Sequence, residues 1–154
     1  CVGLLDQDDA GIKAKKVLAT KAFTENQLKT FKCFELKPIY NTDVLNFYKK
    51  GIKIEIDIES LFPITVLKRA EELSYLEMRN PGFIEPPQKW IQFHTSFKEY
   101  CKGQGIEDDY FYYLNKVKKI KKDDFRKQVD VSINSSELDN FKLLLNDLFI
   151  VLGI

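Results

Sequence analysis

An α/β fold built on a mostly parallel sheet, with a C-terminal helical extension, is what this sequence predicts, and three observations predict it. Val2 to Leu5 is a short apolar run ending at Asp6. A lysine-rich amphipathic stretch follows it, and then an aromatic run from Thr30 to Leu36. Strand, helix, strand in that order is the βαβ unit of a parallel sheet, with a right-handed crossover. Second, Ile52 to Glu59 alternates strictly between apolar and charged residues, the period of a strand with one buried face. Third, the patterns beyond residue 80 are helical. A length of 154 residues suits one domain with its own core. We therefore expect a core over residues 1–79 and a helical region over 80–154 packed on the same domain.

The elements follow in order. From Ala10 to Phe23, Ala14, Val17, Leu18 and Ala22 recur at helical spacing, with Lys13, Lys15, Lys16 and Lys21 between them. The second strand, Thr30 to Leu36, is closed by Pro38. In the alternating run, Ile52, Ile54, Ile56 and Ile58 share one face, and Lys53, Glu55, Asp57 and Glu59 share the other. Pro63 suits the first turn of a helix to about Met78, with Val66, Leu67, Ala70 and Leu73 inward. Asn80-Pro81-Gly82 stops it. Trp90 to Lys102 is amphipathic and fits helix or strand, with helix the favoured reading, and is broken by Gly103 and Gly105. Another covers about Asp108 to Val129, divided near Lys121. The last starts at Ser136, an N-cap followed by acidic residues, lines one face with Phe141, Leu144, Leu145, Leu148, Phe149 and Leu152, and ends at Gly153.

Composition excludes several functions. No apolar run reaches the ~18 residues that a membrane span needs, and no secretory signal opens the chain; a cytoplasmic protein is expected. Cys1, Cys33 and Cys101 are odd in number and far apart, which reads as small buried hydrophobes in a reducing compartment. His94, between Phe93 and Phe97, has no zinc-ligand spacing to any of them and reads as a packing histidine. A net charge of +1 decides nothing about nucleic acid, but its distribution is informative. Lys116, Lys118, Lys119, Lys121, Lys122, Arg126 and Lys127 are opposed over that stretch only by Asp123 and Asp124. Two readings stay open: a solvated helix face or a phosphate-contacting stripe.

The most specific signal is Leu4-Leu5-Asp6-Gln7-Asp8-Asp9-Ala10-Gly11, in which a buried strand delivers D-x-D-x-A-G into a helix. Strand ends of α/β sheets are where ligands bind. Two carboxylates one residue apart can converge there on a hard cation such as Mg²⁺, while Gly11 lets the backbone turn tightly. An EF-hand loop from Asp6 would need an oxygen ligand at Ala10 and Glu at Val17, and has neither. A D-x-D-x-T/V phosphatase would need Thr or Val at Ala10. A helix N-terminus favouring Asp8 or Asp9 as cap accounts for one aspartate, not for Asp6 and Asp8 together.

LLDQDDAG followed by IKAKKVL resembles the D-x-D motif of TOPRIM domains, found in topoisomerases, primases, recombination mediators and OLD-family nucleases. Two later segments resemble the OLD type. Ile54-Glu55-Ile56-Asp57-Ile58-Glu59-Ser60-Leu61-Phe62 is similar to its second acidic cluster, with Asp57 and Glu59 as the matching pair and Glu55 in reserve. Lys122-Asp123-Asp124-Phe125-Arg126-Lys127-Gln128-Val129 is similar to its K-x-x-F-x-x-x-V helix, with Lys116 and Lys119 as alternative registers for the lysine. The solvated face of a strand would equally put acids at 55, 57 and 59, and for Lys122 a surface lysine is the favoured reading over a catalytic one.

The resemblance implies a TOPRIM-like fold and phosphodiester hydrolysis by two Mg²⁺ (or Mn²⁺) ions ~3.5–4 Å apart. Asp6 and Asp8 would hold one ion, Asp57, Glu59 or Glu55 the other, with Lys122 stabilising the transition state. DNA is the implied partner, its backbone followed by Lys116, Lys119, Lys121 and Arg126. The family's first metal-binding Glu has no counterpart before Asp6, so the chain is expected to be part of a longer ATPase-linked nuclease, weakly active or inactive alone. The implied partners are an upstream ABC-type ATPase and a second copy; no Walker A sequence occurs here. The alternatives are a primase- or topoisomerase-like TOPRIM domain and a non-catalytic module that keeps the fold.

Overall fold

The computed structural model describes residues 2–20, 24–30, 32–79 and 97–153, and the fold is mixed α/β. Strands β1 (Val2–Leu5) and β2 (Lys32–Glu35) pair in parallel from Val2–Lys32 to Leu5–Glu35. Between them run α1 (Asp9–Thr20) and a short α2 (Glu25–Thr30), so the expected strand–helix–strand unit is present. Helix α1 starts where it does because the Asp8 carboxylate accepts the Gly11 N–H at 2.7 Å, the bond of an N-cap. Gly11 is needed for a further reason: a Cβ there would run into the Asp6 carbonyl oxygen. The predicted inner face of α1 is only partly covered. Ala14 and Leu18 are half-buried, while Val17 is exposed.

The alternating run is not a ladder strand. Ile52, Ile54 and Ile56 are buried as predicted, yet this stretch meets the end of β1 through an isolated antiparallel bridge, in which Gln7 N–H donates to the Ile56 carbonyl at 2.7 Å, and not through a ladder. At Ile58 the chain tightens into a 3₁₀ turn, Ile58–Leu61, capped by Asp57. The end of β1 is thus flanked by β2 on one side and by this extended segment on the other. The opposite face is solvated at Lys53 but closed at its far end, where Asp57 and Glu59 are each only 7% exposed.

Helix α3 (Thr42–Lys49) begins at Asn41, whose side chain accepts from the Asp43 and Val44 amides. Helix α4 (Ile64–Glu72) starts after Pro63 and buries Val66, Leu67 and Ala70 as expected. It stops at Glu72, not near Met78, and Leu73 faces solvent. Ser74, at φ 57°, turns the chain into β3 (Leu76–Met78), which pairs antiparallel with β4 (Asn115–Val117). That pairing also divides the long helix expected from Asp108 to Val129. A 3₁₀ stretch covers Asp108–Leu114, β4 follows, and after a turn at Lys119–Lys121 a helix numbered α6 below covers Lys122–Ser132. The ladders of the described residues are therefore two separate two-stranded sheets, one parallel and one antiparallel, and not one larger parallel sheet. Of the helix expected from Trp90, α5 (Phe97–Gly103) is described; residues 80–96, His94 among them, lie outside the described residues.

The C-terminal region closes on the same core. Asn134, not Ser136, is the capping residue, and with Glu137 it forms a reciprocal capping box on a 3₁₀ turn, Ser135–Leu138, that leads into α7 (Asp139–Leu152). Gly153, at φ 76°, ends that helix. Phe141, Leu144, Leu148 and Val151 face the core, but Leu145, Phe149 and Leu152 are about half exposed. Phe62 packs on Phe125 and Phe141 with ring centroids 5.6 and 4.9 Å apart. Tyr40 Oη donates to Asp147 at 2.7 Å, and Arg69 pairs with Glu137 at 3.1 Å. Cys101 is buried and unbridged, whereas Cys33 is exposed, against the expectation for that residue; Cys1 lies outside the described residues. Among the described residues, no helix is long and apolar enough to cross a membrane.

Candidate functional site

Asp6 stands at the end of β1, where the strand's hydrogen bonding has just finished, and its carboxylate turns toward the acidic segment: Oδ1 accepts the Ile58 N–H at 3.1 Å. This bond and the Gln7–Ile56 bridge bring the two sequence-distant acidic motifs together. Burial, and then the negative fields of Asp57, Asp8 and Glu59, push the Asp6 carboxyl up to about 6, with Lys122 opposing them. Raising of this kind marks a group whose ionised form lacks a sufficient counter-charge.

The other acids divide by how they are compensated. Asp57 is gripped by Arg79, with Nη1 2.9 Å from Oδ2 and Nη2 donating to Oδ1 at 3.0 Å. Ser60 adds a backbone bond at 2.9 Å and a hydroxyl bond at 2.5 Å to the same Oδ1. Burial works against the Asp57 charge, but Arg79 and Ser60 outweigh it and hold the carboxyl below its ordinary range. Glu55 lies 3.9 Å from the same guanidinium; burial lifts its carboxyl more than Arg79 lowers it. Glu59 receives Lys122 Nζ on Oε1 at 2.8 Å, while its Oε2 is buried and accepts no hydrogen bond. Burial disfavours the Lys122 ammonium, yet the bond to Glu59 and the fields of Glu59, Asp57 and Asp6 raise its pKa above the ordinary lysine value.

A cleft of about 490 Å³ opens beside these groups, and Asp8, Glu55, Asp57, Lys116, Lys119 and Lys122 all line it. Six of the sequence-predicted residues thus share one hollow, although they come from the ends of β1 and β4, the extended segment and the start of α6. The basic run does not act as one stripe. Lys121 turns away to Asp124 at 3.0 Å and over the Tyr75 ring. Arg126 sits on an exposed face 4.0 Å from Asp123. A second hollow, of about 530 Å³, lies between α4, α5 and the 3₁₀ stretch, lined among others by Lys98, Lys102, Asp108 and Tyr112. Its Lys102 is matched by Asp108 at 2.9 Å, and it contains none of the predicted acids.

Arg79 is the residue that sequence reading misses. It is 2% exposed, and besides Asp57 it donates to Tyr113 O at 3.2 Å and Ser60 Oγ at 3.0 Å. Met78-Arg79-Asn80 reads locally as a helix end. The only hint was that Glu55 and Asp57, if not solvated, would need a cation.

For a divalent ion the fit is divided. Asp6, within the negative fields of Asp57, Asp8 and Glu59, lies in an oxygen-rich corner, which suits Mg²⁺ or Mn²⁺; Glu59 has a buried Oε2 that accepts no hydrogen bond. Asp8 has one oxygen committed to its cap. Asp57 does not fit, because both oxygens are taken by Arg79 and Ser60. Among the described residues no three His, Cys, Asp or Glu side chains are arranged to enclose an ion. Neither a protein-family model, nor a curated protein, nor a solved structure matches the chain.

Proposed function

We propose that this chain is a metal-dependent phosphodiesterase module acting on DNA, of TOPRIM-like architecture and related in plan to the OLD-family nucleases. The observation that carries the reading is the convergence at the β1 end. Asp6 faces the 57–59 segment, Lys122 is tied to Glu59, and a cleft with three lysines on its wall adjoins them. Strand-end carboxylates beside a lysine-lined hollow suit a phosphodiester, whose charge the lysines meet and whose hydrolysis the acids' cation assists. In this reading Asp6 and Glu59 would hold the ion, with water and phosphate oxygens completing its shell. The ion, when bound, polarises the phosphate and lowers the pKa of an attacking water. Lys122, kept charged by its setting, would sit against the negative charge that builds on the phosphoryl oxygens. Lys116 and Lys119 would hold the backbone without reading sequence. An ATPase domain or subunit, and a second copy, are the partners this reading carries with it.

The test is cleavage of supercoiled and linear DNA with Mn²⁺ or Mg²⁺, alongside Mn²⁺ binding followed by electron paramagnetic resonance. Binding that disappears in Asp6→Asn supports the reading; wild-type protein that binds no Mn²⁺ at millimolar concentration removes it. One observation favours a second reading, a non-catalytic module that keeps the fold: Arg79 and the α1 cap already use Asp57 and one oxygen of Asp8. That reading predicts neither ion binding nor cleavage.

A further inference from the structure

We infer that Arg79 is a resident cation in this site, filling with a guanidinium the place where a second metal ion would otherwise sit between Glu55 and Asp57. The inference rests on the proposed metal-dependent reading and fixes its stoichiometry at one divalent ion per chain, on the Asp6–Glu59 side. Arg79 is more deeply enclosed than any carboxylate around it, at 2% exposure. Three of its nitrogens are fixed: Nη1 and Nη2 fork around Asp57 at 2.9 and 3.0 Å, and Nε is held by Tyr113 O at 3.2 Å. A bidentate guanidinium–carboxylate pair is planar and directional, and it leaves Asp57 no oxygen facing an ion. Glu55, 3.9 Å from Nη1, completes a two-acid, one-cation group.

The other side of the site holds no guanidinium, and its one ammonium, Lys122, meets a single oxygen of Glu59. Glu59 is 7% exposed, its Oε1 is met by Lys122 at 2.8 Å, and its Oε2 is buried with no donor. Arg79 also lines the cleft together with Lys116 and Lys122. It therefore supplies positive charge where a second ion would have supplied it, without dissociating.

Counting Mn²⁺ ions on the full chain by electron paramagnetic resonance titration tests this. The expected result is one ion per chain, with at least a tenfold loss of affinity in Asp6→Asn. Removing the pair together, in the double variant Asp57→Asn with Arg79→Met, is expected to preserve the circular-dichroism spectrum and the single ion, with affinity changed less than about threefold. The double variant avoids leaving Arg79 or Asp57 buried alone, as either single change would; Glu55→Gln added to it removes the remaining carboxylate of the group, with the same result expected. Two ions on the wild-type chain, or loss of the ion in a folded double variant, would overturn the inference while leaving the metal-dependent reading intact. No ion on the wild-type chain would overturn both.

Discussion

Asp6→Asn is expected to make the metal-free protein more stable at neutral pH. Asparagine keeps the carbonyl oxygen that accepts the Ile58 N–H at 3.1 Å and removes only the charge. The Asp6 carboxyl is raised from 3.8 to about 6 by burial and by its acidic neighbours, so the folded state binds its proton more tightly than the unfolded state does. A raised acid is neutral and harmless at low pH. It opposes folding progressively as pH climbs through the unfolded value toward the folded one, and its full effect is present above about pH 6. The unscreened linkage is about 3 kcal/mol at ~1.4 kcal/mol per unit. Asp6 is only half-buried, so solvent screening reduces this to about 1–2 kcal/mol, or about 2–8 °C in Tm for a chain of this size. Calorimetry in a chelating buffer at pH 7.5 and pH 4.5 measures it. The gain is expected at pH 7.5 and should shrink to about a third at pH 4.5. A variant less stable than wild type at pH 7.5, or a gain of equal size at both pH values, refutes the argument that charge crowding governs this corner.

Two further outcomes follow from the geometry. Lys122→Met should lower DNA cleavage by about 10²–10³-fold, the loss typical of one electrostatic donor to a transition state, and should also destabilise by about 1–3 kcal/mol because it leaves the buried Glu59 carboxylate without its cation; steady-state cleavage rates and urea melts, taken together, separate the two effects. Gly11→Ala should destabilise by about 1–3 kcal/mol despite its better helix propensity, since the new Cβ collides with the Asp6 carbonyl; a melting temperature equal to wild type would show that the close approach is not obligatory.

Which parts of this were legible beforehand follows from the range of the interactions. Val2 to Leu5 and the D-x-D after it are local signals, and the parallel β1–β2 pair arose from them directly. Alternation from Ile52 to Ile56 correctly named the buried side chains, because burial depends on side-chain direction. It could not say which backbone partners existed; at Ile56 the partner is Gln7. The acids at 57 and 59 were expected to have a solvated face as an alternative to a functional one. They are buried because Arg79 and Lys122, distant in sequence, cover them. Asn115 to Val117 lies in a lysine-rich stretch that reads as helix, and pairing with Leu76–Met78 overrides that propensity.

The hydroxyl of Tyr40 meets the carboxylate of Asp147 across 107 positions of sequence, and Asn140 reaches back to the Leu61 carbonyl at 2.8 Å. Contacts spanning so much of the polypeptide make loop closure a large part of the folding barrier. During synthesis, the aromatic cluster around Phe62 stays open until Phe141 has left the ribosome. A nascent chain stalled before Asp139 would expose that cluster, giving chaperones a surface to bind.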